Sequence, residues 1–242
     1  MSSQVESGNW SEGFLVRAAQ RSERADPQWS AGSRLDPAIV RSLQKFQVGE
    51  SGDGFHLIAN AADAGDRDYE AAVRLFVAEE QNHARMLALL LRASGAQTKR
   101  WHWSDSVFVH LRRLLGLRLE LMVLTIAEVV ALRYYRALAD GGSDRLLTDV
   151  AERILADERH HVPFQIRRLR LGFRGTSEAA RIAIKQTWRA MALAVIVVVA
   201  IDHGRALGVC GVSRRRFVTD TIQIFDDTAT SVFSLPRTSD RQ

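Results

Sequence analysis

Cysteine is almost absent from this 242-residue chain. The one present, Cys210, excludes an internal disulfide framework, a Cys-based zinc site and an iron–sulfur cluster. Such usage fits a reducing cytoplasm, which is the localisation expected. Proline is nearly as rare: Pro27, Pro37, Pro163 and Pro236 leave long spans in which helices can run uninterrupted. Lysine is scarce while arginine is abundant, giving a net charge of +5 and a pI of about 10.0. Basicity alone would suit nucleic acid or an anionic membrane. Its clusters, Arg167-Arg168-x-Arg170 and Arg214-Arg215-Arg216, read as solvated surface, with phosphate contact as the lesser reading, and no nucleic-acid partner is expected. An apolar leader is also lacking: residues 1–35 are polar, so no signal peptide is expected. The apolar run Met191–Ile201 falls short of the roughly 20 residues that span a bilayer. It is expected beneath other helices or in a homodimer interface, with membrane-surface contact as the lesser reading.

What is present points to helices. Hydrophobic residues make up 46% of the chain, enough for one globular domain with a core. Residues 1–35 read as a loosely ordered N-terminal arm. Asp36-Pro37 places a cap ahead of a proline at the first helical position, and starts a helix expected to run to about Asn60. Gly49, Gly52 and Gly54 surround Glu50, which implies either a local distortion or space beside Glu50 for a ligand. Asp66 caps a second helix that stops at Gly95. An aromatic and basic connection over 95–104 leads to Ser104 or Asp105, which caps a third helix ending at Gly141-Gly142. Ser143 or Asp144 caps a fourth, which Pro163 should kink or shorten. Thr176 caps a fifth helix ending near Gly204 or Gly208, and a sixth spans Ser213 to about Phe233.

Two stretches organise this pattern: Glu79-Glu80-x-x-His83 and Asp157-Glu158-x-x-His161. Residues three apart on a helix share a face. Glu50 precedes Glu80 by 30 residues, and Glu128 precedes Glu158 by 30. The two halves are offset by 78, and Asp66/Asp144, Arg67/Arg145 and Ala78/Ala156 keep that offset. Duplication of a helical hairpin is the simplest account. Each leg from a carboxylate to its turn is about 15 residues, or ~22 Å. Glu50 and Glu80 therefore return to one height, as do Glu128 and Glu158. Their same-face neighbours include Val73, Phe76, Leu87, Leu121, Leu124, Ile154 and Leu155. Four carboxylates in such a lining destabilise the fold unless protonated or neutralised. Two divalent metals balance four negative charges, and carboxylate with imidazole suits iron or manganese.

The set Glu, Glu-x-x-His, Glu, Glu-x-x-His resembles the ferritin-like di-iron carboxylate proteins. Asp157-Glu158-x-x-His161 also resembles, over a short stretch, the demethoxyubiquinone hydroxylases. The resemblance covers roughly residues 36–168 and implies an all-α, ferritin-like four-helix bundle with one crossover connection, followed by two additional C-terminal helices over 176–235. It implies Glu50, Glu80, His83, Glu128, Glu158 and His161 as metal ligands. Fe/Fe is the leading cofactor pair, with Mn/Fe or Mn/Mn as alternatives. Glu79 and Asp157 match positions where an acid orients a ligand histidine. Tyr135, seven residues past Glu128, is a core aromatic or a redox tyrosine. Glu120 is a rival ligand that breaks the offset, and His160 is set aside because Glu-x-x-His selects His161. The activity implied is O2-dependent oxidation or hydroxylation of an apolar small molecule, fed by an external electron donor. Iron or peroxide handling (ferroxidase, peroxidase or manganese catalase-like) is the alternative. A metal-free helical binding module is a third reading.

Overall fold

The computed structural model describes residues 9–99 and 116–234. Among them every regular element is helical and none is a strand. The helices are α1 (Glu12–Glu23), α2 (Pro37–Glu50), α3 (Phe55–Asp63), α4 (Arg67–Ala93), α5 (Gly116–Gly141), α6 (Arg145–Gly172), α7 (Glu178–Asp202), α8 (Gly204–Val209) and α9 (Arg214–Phe233). A 3-10 turn covers Trp29–Ala31. The expected cap of the third long helix at Ser104 or Asp105, together with Trp101, His102, Trp103 and His110, lies outside the described residues.

The chain divides into two compact units, Met1–Glu120 with Asp144–Val150, and Leu121–Ser143 with Ala151–Gln242. In the first, α4 packs against α1, α2 and α3. Its core is Ile39 and Leu43 of α2, Leu57 of α3, and Tyr69, Val73, Phe76, Leu87 and Leu90 of α4, all buried. Asp66 caps α4 by accepting from the backbone N–H of Asp68 and Tyr69. Asp144 does the same for α6, accepting from Leu147 N–H, and also takes Ser33 Oγ–H and Arg34 N–H. The two capped helices start 78 residues apart, at Arg67 and Arg145, so the sequence offset is kept in where these helices begin; the preceding leg is α2 and α3 in one half and the single α5 in the other.

Two expectations for this unit are corrected. The arm over 1–35 is not loosely ordered where it is described. Residues 12–23 form α1, which buries Phe14 and sends Arg21 to Glu79, 2.7 Å away. Just ahead of it, Trp10 N–H and Ser11 Oγ–H donate to Asp68, and Trp10 Nε1–H donates to Asp66. The helix expected over 37–60 is two helices. The chain leaves α2 after Glu50 and re-enters at Phe55, with Gly54 at φ +64°. A Cβ on Gly54 would lie 2.4 Å from Val77 Cγ2, so the glycine lets α3 close onto α4. Gly52 and Gly54 thus fall in a break between two helices, and at Gly54 the space is taken by Val77, whereas a Cβ at Gly49 or Gly52 would meet nothing within 4 Å.

In the second unit, α7 packs along α9, with α8 against both. Trp188 of α7 donates to Met122 O of α5 and meets Phe225 of α9 edge-on at 4.9 Å. Arg133 of α5 pairs with Asp220 of α9 at 2.9 Å. α6 runs through Pro163 to Gly172, so the proline does not shorten it. Ser177, rather than Thr176, caps α7, which stops at Asp202; Ser213 caps α9. The apolar run of α7 also departs from expectation. Trp188, Ala192, Ile196 and Ala200 are buried, whereas Leu193, Val197, Val198 and Ile201 face outward, Ile201 at 63% exposure. The whole helix, rather than the run alone, is long and apolar enough to cross a membrane by length and composition. It presents one buried stripe because its other faces meet no packed element among the described residues.

Candidate metal centre

Each unit gathers two carboxylates and one imidazole. In the first, Glu50 ends α2, while Glu80 and His83 stand one turn apart on α4. One oxygen from each glutamate and one ring nitrogen of His83 lie within 4.8 Å of one another. His83 is fully buried and its Nδ1 is 3.5 Å from Glu80 Oε1. Glu80 is the wettest of the three, with 18% of its side chain exposed. In the second, Glu128 comes from α5, and Glu158 and His161 from α6; their ligand atoms are again within 4.8 Å of one another. His161 Nδ1 is 3.2 Å from Glu128 Oε2 and 3.5 Å from Glu158 Oε2. All three are at most 3% exposed.

The donor chemistry fits a cation. Two carboxylates about 5 Å apart repel by roughly 3 kcal/mol at the effective dielectric of a protein site. Removing them from water adds to that cost. Carboxylate oxygen with imidazole nitrogen is a donor set suited to iron or manganese. These buried Glu/His groups could therefore hold a metal ion.

The neighbours of the ligands were only partly foreseen. Gln165, fully buried, lies one turn beyond His161. Its Nε2–H donates to Glu128 Oε1 at 3.2 Å, and its Oε1 accepts from Thr125 Oγ1–H at 2.6 Å. Thr125 Oγ1 also lies 2.6 Å from Leu121 O in its own helix, so its single proton is shared between the two acceptors. Glu128 is thereby steered by an amide whose orientation a hydroxyl holds. The spacing carried this signal: Gln165 is four residues past His161, and Thr125 three before Glu128, on the ligand faces. Glu79 is buried and meets Arg21 at 2.7 Å and Arg17 at 3.8 Å, both from α1. Its partners could not be read from a segment expected to be loose.

Asp157 is buried beside Glu158. Tyr135 is fully buried and packs edge-on against Tyr134 at 5.4 Å. Glu120, fully buried, accepts from Asn60 Nδ2–H at 2.7 Å and belongs to neither group. His160 and His56 are exposed, while His203 is buried against Tyr134 and sits 3.4 Å from Asp202. No protein-family model matches the chain, and no characterised protein matches it significantly.

Proposed function

We propose that the chain is a di-iron carboxylate oxidoreductase that uses dioxygen to oxidise or hydroxylate an apolar organic substrate. Its ligand set is Glu50, Glu80, His83, Glu128, Glu158 and His161, carried on a ferritin-like four-helix bundle. One observation carries the reading: two triads of identical composition, two carboxylates and an imidazole, recur at positions 78 apart and are each drawn within 4.8 Å. A structural ion pair has no reason to repeat in this way. Four carboxylates and two neutral imidazoles match the charge of two divalent ions. Manganese in one or both positions suits the same donors.

When bound, such a metal pair supplies electrons to dioxygen, replenished by an external donor. The protein's residues do the rest. The carboxylates of Glu50, Glu80, Glu128 and Glu158 hold the charge of the metals in place. His83 and His161 offer neutral nitrogen donors. Gln165 and Thr125 fix the rotation of Glu128, so its oxygens need not reorganise. Val73, Phe76 and Leu87 in one unit, and Leu121, Ile154 and Leu155 in the other, exclude water and favour an apolar reactant.

Purification without chelator, followed by elemental analysis and oxygen-electrode measurements, tests this reading. Two iron or manganese ions per chain are expected, with oxygen consumed by the reduced protein and accelerated by an apolar substrate. No more than one metal per chain, or no oxygen uptake, overturns it. A many-subunit assembly that fills with iron would instead assign iron storage.

A further inference from the structure

We propose that the second unit docks on an anionic lipid bilayer through the outward face of α7. Three observations on that face converge. First, Leu193, Val197 and Ile201 recur every four residues along one side of α7, Val198 stands beside them, and all four are exposed; Val209 of α8 is a fifth exposed aliphatic side chain. Such a row is costly in water and suits the boundary between headgroups and acyl chains. Second, a mainly apolar groove of about 300 Å³ opens between α7 and α9, lined by Val197, Ala200 and Ile201 of α7 and by Arg214, Arg215, Val218 and Thr219 of α9. Aliphatic walls with two arginines among the lining residues match a lipid, which joins apolar acyl carbon to an anionic phosphate. Third, Arg214 and Arg215, which line that groove, and Arg205 of the neighbouring α8 are exposed and make no ion pair among the described residues.

Charge decides between a bilayer and a second copy of this chain. At the far end of the same helix stand Arg181 and Lys185, against Glu178; at the near end Asp202 opposes three arginines. Both ends are net positive. Parallel or antiparallel pairing of two α7 helices would set cation against cation, whereas an anionic bilayer neutralises both ends at once. Each arginine near such a surface contributes about 1 kcal/mol. The helix lies on the membrane rather than through it, because Trp188, Ala192, Ile196 and Ala200 are already committed to the interior of the unit.

Vesicle flotation of the full, metal-loaded chain tests this, using phosphatidylcholine alone and phosphatidylcholine with phosphatidylglycerol. Binding is expected with the anionic vesicles, and weakens as salt is raised. Arg214→Glu with Arg215→Glu should lower affinity by at least about tenfold. Val198→Asp with Ile201→Asp should do likewise while leaving helicity by circular dichroism and metal content unchanged. Equal binding to both vesicle types, or to neither, overturns the proposal. So does a dimer in solution that Val198→Asp dissociates, which would give this face to a second copy. Resistance to alkaline extraction from membranes would assign a spanning helix instead and also overturn it.

Discussion

At the residue scale the chemistry depends on how each ligand is held. Gln165 is the informative case. Gln165→Leu preserves volume but removes the donor to Glu128 and the acceptor for Thr125. Partners of this kind typically carry 10–100-fold of metal affinity, roughly. The expected result is a loss of that order in a chelator competition, with the fold retained; unchanged affinity would reduce Gln165 to a packing residue. Cys210 gives a second test. Burial pushes its thiol up to about 11 from an ordinary 9.0. Native protein at pH 8 should therefore resist thiol reagents that label unfolded chain promptly. Because the folded value is the higher, this group's contribution to stability is present below pH 9.0 and is lost as pH rises from there towards about 11. Prompt labelling of the native thiol would contradict its burial. The six candidate ligands were legible in the sequence because they obey a fixed offset and a one-turn spacing. Arg17 and Arg21 were not, since their partner Glu79 lies 58 residues or more away in the chain.

At the element scale, caps and close approaches decide where helices begin and end. Burial disfavours the charge of Asp144, but hydrogen bonds from Arg34 N–H, Leu147 N–H and Ser33 Oγ–H outweigh it and hold its pKa below 3.8. Its stabilising contribution is therefore full above pH 3.8 and is lost as pH falls through the folded value. Asp144→Asn should lower the melting temperature at pH 7, with the difference shrinking below pH 3.8. A deficit that stays constant with pH would exclude the charge as its cause. Gly141, at the end of α5, touches the backbone of α8's C-cap: an added Cβ would lie 2.1 Å from Cys210 O. Gly141→Ala should cost about 1–3 kcal/mol in denaturant unfolding, and a neutral effect would sink this contact. The caps at Asp66 and Ser213 were readable because capping is local. The break between α2 and α3 was not, because three nearby glycines are compatible with a weak helix until Val77 is seen against Gly54. The outward face of α7 was hidden for a related reason. A run apolar on all sides gives no periodicity to say which stripe is covered.

At the scale of the whole molecule, the all-helical character of the described residues followed from the long proline-free spans and the helix-capping residues at their starts. The 78-residue offset is visible in the structure where Asp66 and Asp144 cap helices that start at equivalent positions. What could not be read was α1, whose short amphipathic sequence is ordered by tertiary contacts of Trp10, Ser11 and Arg21. The central claim is that the acids of each repeat are gathered about a buried histidine because they hold bound cations. The most direct measurement is anomalous X-ray scattering at the iron and manganese edges, on crystals of protein purified without chelator. The account predicts two strong peaks per chain, ligated by Glu50, Glu80, His83, Glu128, Glu158 and His161. Crystals with no peak within bonding distance of these side chains, from protein shown to be folded, would contradict it.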